Sequence, residues 1–191
     1  MNHKRISTSF FVWAYALCAA LAFARQHSQM SCFGDWLQCG CPLIGFLSGI
    51  ADILALLVFV VFIYKVWVEV QDGHARTSAG KAVGFLLIPF FNIYWLFRAI
   101  WGFAKEFNRF LDRNEISVAR LSEGLFLACS ILMSLRWLYR TIATLEPLTG
   151  VGFSLGAYSY YQAIPVHILV IFVIYKSCEA VNALPEASSG S

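Results

Sequence analysis

Four residues of this 191-residue chain have the types and spacing to do chemistry inside a membrane: Asp52, Arg136, Arg140 and His167. Each interrupts an apolar run. Ionisable groups in lipid are costly, so they face a partner or water. Counting at ~1.5 Å per residue puts Asp52 roughly 10 Å below the outer end of its run, Arg136 and Arg140 roughly 13 and 8 Å below theirs, and His167 roughly 8 Å below its own. All four fall in one layer, the outer third of a bilayer. Arg136 and Arg140 are four apart and share a helix face. The spacing predicts that Asp52 pairs with one of these arginines, with His167 nearby. Such a layer binds an anion or a lipid headgroup from the outer side, or relays protons through His167. The structural alternative is an ion pair that registers three helices, with the arginines snorkelling outward.

The elements that must position these residues are transmembrane helices. The chain is 59% hydrophobic and 13% charged, with a mean hydropathy of +0.67. Soluble domains run about 45–50% apolar and about 25% charged. A soluble enzyme and a disordered chain are both excluded. A formal charge of +3 implies no nucleic-acid partner. The apolar runs predict an all-α polytopic fold in one transmembrane domain, residues 1–181, with spans at about 7–24, 44–67, 121–145 and 161–178. The first run also reads as a signal peptide ending at Ala22-Phe23-Ala24. Its stripes Ala16, Ala20, Ala24 and Ala14, Cys18, Ala22 suit close helix packing in lipid, which favours a retained helix. Lys65 and Trp67 anchor the far end of the second span. Residues 149–162 read as an outer loop with Tyr158, Tyr160 and Tyr161 as an aromatic belt, and residues 182–191 as a disordered tail.

Residues 83–110 are apolar on average but carry Pro89, Asn92 and Arg98. Projected at ~100° per residue, Tyr94, Gly102, Lys105, Arg109 and Asp112 fall beside Arg98. Ile93, Leu96, Ile100, Phe103, Phe107 and Leu111 take the opposite face, and Trp95 and Trp101 the borders. This predicts an amphipathic helix over about 90–112 lying in the cytoplasmic-side interface. Arg98, Lys105, Arg109, Trp95 and Trp101 are its expected contacts with anionic lipid headgroups. Pro89 separates it from Val83–Ile88, a short apolar piece that dips into the bilayer. With this stretch outside the span count, Lys4, Arg5, Lys65, Arg76, Lys81, Lys105, Arg109, Arg113, Arg120 and Lys176 all lie on one side, against Arg25 on the other. The positive-inside rule then places both termini in the cytoplasm.

The run Ala79-Gly80-Lys81-Ala82-Val83-Gly84-Phe85-Leu86-Leu87-Ile88-Pro89-Phe90-Phe91-Asn92-Ile93-Tyr94-Trp95 resembles a group of uncharacterised bacterial multi-pass membrane proteins with a GKAVGFLxIPFFNxYW-type stretch. The likeness extends over about thirty residues, to Asn108. It implies a bacterial inner-membrane protein of about four helices and brings no activity.

Cys32, Cys39 and Cys41 share one polar loop. In an oxidising compartment Cys32 is expected to bridge to Cys39 or Cys41; three free thiols are the alternative. No set at metal-ligand spacing appears, and the C-x-C at Cys39–Cys41 is not a zinc or redox pair. Ser130 and Ser134 lack a base, and the phosphate-loop pattern is missing around Gly80-Lys81. The expectation is therefore a non-enzymatic assembly, accessory or lipid-interacting membrane protein without a cofactor. Its partners would be membrane lipids, further copies of itself or other membrane subunits. The second expectation is a small oligomeric channel or transporter whose pathway contains the polar layer.

Overall fold

Long apolar runs without strand-like alternation satisfy their backbone hydrogen bonds locally, as helices. A computed structural model describes residues 5–31, 42–88, 91–149 and 155–184, and these are all-helical without strands. The elements are α1 (Thr8–Ser31), α2 (Pro42–Glu69), α3 (Ala79–Gly84), a 3-10 turn (Phe85–Leu87), α4 (Phe91–Leu96), a π segment (Phe97–Trp101), α5 (Gly102–Arg113), α6 (Glu123–Thr149) and α7 (Leu155–Asn182). Among the described residues three stretches are long and apolar enough to cross a membrane: Gly49–Glu69, Glu123–Ile142 and Ala163–Asn182.

The long helices form an arc. α1 packs along α2 and α7, and α7 packs along α6. Phe11, Tyr15, Phe59 and Phe62 fill the α1–α2 seam. The Asn182 side chain accepts from the Ile6 N–H at 2.8 Å and donates to the Ile6 carbonyl at 2.8 Å. These bonds bring the start of α1 and the end of α7 to one end of the bundle. Residues 182–184, expected in the tail, close this end of α7, with Leu184 buried. Residues 155–162, expected in a loop, are the first turns of α7.

α2 and α6, the two ends of the arc, share no extended contact. The segment from α3 to α5 packs between them, with α3 against α2 and the π segment against α6. Asp72-Gly73 turns the chain after α2, with Gly73 at φ 84°, and the Ser78 hydroxyl caps α3 by accepting from Lys81 N–H at 3.3 Å. The two arms of the segment then lie against each other. Trp95 Nε1 donates to the Ala82 carbonyl at 3.0 Å, and the Phe85 and Trp95 rings are 4.5 Å apart. The Asn92 N–H bonds the Ile88 carbonyl at 3.0 Å, so the arms meet there.

This hairpin runs alongside α2 and α6. Trp67 of α2 and Phe126 of α6 both meet the Phe103 ring, at 6.0 and 6.3 Å. Leu56 of α2 and Trp137 of α6 line one cleft with Asn92. Leu56 and Trp67, Asn92 and Phe103, and Trp137 and Phe126 are equally spaced in sequence, a rise of ~16 Å for each helix. A helix running along α2 and α6 accounts for both levels. The expected amphipathic helix over about 90–112 is thus packed along α2 and α6. Its helical projection stands, because Leu96, Ile100, Phe103, Phe107 and Leu111 are buried, but protein rather than lipid covers that face.

The π segment packs on α6 and is bonded to α2 through Trp67. Its register is set by Gly102 N–H bonding the Phe97 carbonyl. The buried Trp67 indole N–H donates to the Ala99 carbonyl at 2.9 Å. α5 ends in a left-handed cap: Glu115 has φ 54°, and Ile116 N–H returns to the Leu111 carbonyl at 3.0 Å.

Candidate functional site

Where the hairpin ends, the space between α2 and α6 stays open. The resulting cleft has two overlapping lobes of about 570 and 200 Å³. Asp52, Leu56 and Phe59 line it from α2, and Met133, Arg136, Trp137 and Arg140 line it from α6. Tyr15 of α1 and His167 of α7 form the back wall, and Leu86 and Asn92 of the hairpin form the floor. The cleft thus collects Asp52, Arg136, Arg140 and His167.

Their contacts are unequal. Arg140 Nη2 lies 3.8 Å from Asp52 Oδ2, in a loose pair whose arginine side chain is 58% exposed. Arg136 is half-buried and has no carboxylate within ion-pair distance among the described residues. His167 Nδ1 is 3.0 Å from the Tyr15 hydroxyl. By formal charge the two arginines outweigh Asp52 by one. The amide of Asn92 adds a second open valence, because its Oδ1 is buried with no hydrogen-bond partner. Buried acceptors in folded proteins are nearly always paired.

Tyr15 and Asn92 were not among the residues expected in a site. The signal was a lone polar group in each otherwise apolar stretch. What was missing was the tertiary pairing, since Tyr15 and His167 are 152 residues apart.

The expected headgroup contacts divide. Arg98 is exposed, at the level of the Trp67–Ala99 bond. Lys105 Nζ sits 3.5 Å over the half-buried Trp101 ring, a cation–π contact. Arg109 lies 3.7 Å from Glu106. Trp95 is corrected: it is buried inside the hairpin, its indole N–H spent on Ala82, and it does not sit at a border.

A second polar cluster fastens the outgoing arm. Glu106 is buried on the packed face of α5. Arg113 donates to its Oε1 from Nη1 and Nη2, at 3.0 and 3.1 Å, and pairs with Asp72 at 2.8 Å. Burial pushes the Asp72 carboxyl up, but the His74 N–H and the Arg113 guanidinium hold it below the usual carboxylate range. Burial likewise opposes the Arg113 charge, and Asp72 and Glu106 together raise its pKa. Asn108 adds two bonds to the Leu121 backbone, at 3.0 and 2.9 Å, and ties α5 to the start of α6.

Cys18, Cys129 and Cys178 are buried free thiols. Cys32, Cys39 and Cys41, with their expected bridge, lie outside the described residues. Among the described residues no group of three metal-ligating side chains occurs. No protein-family model, curated protein or solved structure matches the chain.

Proposed function

We propose that the protein is a lipid-interacting integral membrane protein without enzymatic activity, whose cleft between α2 and α6 admits a lipid. In this reading α1 is a fourth, retained span. Tyr15 and Phe11 are built into the bundle, and cleavage after Ala24 would remove them. The hairpin enters and leaves on one side, so the Lys/Arg bias still puts both termini in the cytoplasm of a bacterial inner membrane. Arg98, Trp101 and Lys105 then meet headgroups at the cytoplasmic face. The hairpin tip reaches the level of Leu56 and Phe59, near the bilayer midplane, and the cleft occupies the outer half.

The observation that carries the reading is the cleft itself, a cationic recess between two helices that do not close on each other. The outer surface of the bundle is apolar: Trp13 is 74% exposed, Phe46 67% and Ile168 62%. Soluble monomers do not expose apolar surface on that scale. A channel through one copy is disfavoured, because below Asn92 the path is filled by Trp67, Ile100, Phe103, Phe107 and Phe126. A pore between copies is the second reading, and a defined ring-like oligomer would favour it.

Native mass spectrometry of the protein extracted with its lipids tests the proposal. Wild type is expected to retain lipid, and Leu56→Trp, which fills the cleft, to retain markedly less. Equal retention by the two would contradict it.

A further inference from the structure

The unsatisfied groups of the cleft specify what fills it. Asp52 is already engaged, loosely, by Arg140. Arg136 therefore stands as the excess cation, half-buried and lining both lobes. Guanidinium binds phosphate oxygens through parallel N–H donors, which favours phosphate over a point-like halide. One excess charge matches a phosphodiester rather than a phosphomonoester. Asn92 Oδ1 asks for the opposite partner, a hydroxyl or N–H donor.

We infer that the cleft binds a phosphodiester headgroup that carries one negative charge and a free hydroxyl, with its phosphate on Arg136 and its hydroxyl on Asn92. This rests on the reading of the cleft as a lipid site and goes further by naming the headgroup. The same chemistry occurs in a phosphatidylglycerol lipid and in its soluble deacylated form, glycerophosphoglycerol. The inference commits to the lipid. Leu56 and Trp137 form apolar cleft walls along which acyl chains leave toward the surrounding bilayer.

The test uses the full chain in nanodiscs of phosphatidylglycerol and of phosphatidylcholine, read by lipid retention in native mass spectrometry. Wild type is expected to retain phosphatidylglycerol about tenfold or more over phosphatidylcholine, the scale of one charge-assisted hydrogen-bond pair. Arg136→Gln abolishes the preference. Asn92→Leu weakens it while raising the thermal stability of the lipid-free protein, because an unpaired acceptor is removed; a merely structural Asn92 would lose stability instead. Arg120→Gln, at an exposed arginine that lines neither lobe of the cleft, leaves the preference in place. If Arg136→Gln does not fold, Asn92→Leu and Arg136→Lys carry the test, and Arg136→Lys is expected to keep only part of the preference. Equal retention of the two lipids, with Leu56→Trp still reducing both, overturns the headgroup assignment and leaves the lipid cleft standing. Retention untouched by Leu56→Trp overturns both. Stabilisation by glycerophosphoglycerol in phosphatidylcholine nanodiscs, without retention of phosphatidylglycerol, overturns the lipid source.

Discussion

Removing the Glu106 carboxylate tests how the hairpin is held. Glu106 is 2% exposed and accepts two bonds from Arg113, with Arg109 at 3.7 Å. Breaking a buried ion pair costs about 3–5 kcal/mol when the surviving charge is stranded. Here the two directions differ. In Glu106→Gln the surviving Arg113 keeps Asp72 at 2.8 Å, and its side chain is 31% exposed. The glutamine carbonyl still accepts a bond, so we expect a loss of about 1–2 kcal/mol. In Arg113→Met the Glu106 carboxylate stays buried with only Arg109 near it. That loss should approach about 3 kcal/mol. The double variant should cost less than the two losses added, with a coupling of about 1–2 kcal/mol. Thermal unfolding in nanodiscs, followed by tryptophan fluorescence, reads all three variants. At this chain length ~1 kcal/mol corresponds to about 2–4 °C. Equal losses for the two single variants, or strict additivity in the double, would refute this account of the latch.

Three further predictions follow from local geometry. Asp72 is held below its ordinary pKa, so its contribution is complete above the ordinary carboxylate value and is lost as pH falls through the depressed one. Protection of residues 70–78 against proteolysis should fall on acidification below about pH 4, and Asp72→Asn should remove that acid-side slope. Trp67→Phe deletes the donor to the buried Ala99 carbonyl and should cost about 1–2 kcal/mol, seen as a lowered unfolding temperature. Glu115→Gly relieves a left-handed residue at a helix end and should stabilise by about 1 kcal/mol, raising that temperature.

How far the sequence could be read depended on the range of the interaction. Helix positions followed from apolar runs, and the apolar face of residues 91–113 followed from periodicity. Where that face goes did not, because a groove between α2 and α6 and a lipid interface ask for the same pattern. Packing along α2 and α6 depends on Trp67 reaching Ala99 and on Phe103 reaching Phe126, and no local signal encodes those meetings. The polar layer was legible because charge is rare in such runs. Its division of roles was not: that Arg140 takes Asp52 and leaves Arg136 unpaired depends on side-chain reach. Glu106 read as one more charge on α5. Its burial becomes sensible only once Arg113 folds back and the loop brings in Asp72, 41 residues away.

The proposed lipid cleft depends on the hairpin standing upright in the bilayer, and nitroxide depth measurement tests that proposal most directly. Tyr94, Arg98 and Arg109 are suitable positions; Tyr94 and Arg98 are exposed, and the Arg109 side chain is 43% exposed. Each would be replaced singly by a labelled cysteine. An upright arm predicts graded depth, with position 94 lying about 20 Å deeper in the bilayer than position 109 and position 98 between them. Equal depths at all three, at headgroup level, would mean that the segment lies in the membrane plane, and would contradict the hairpin and the cleft above it.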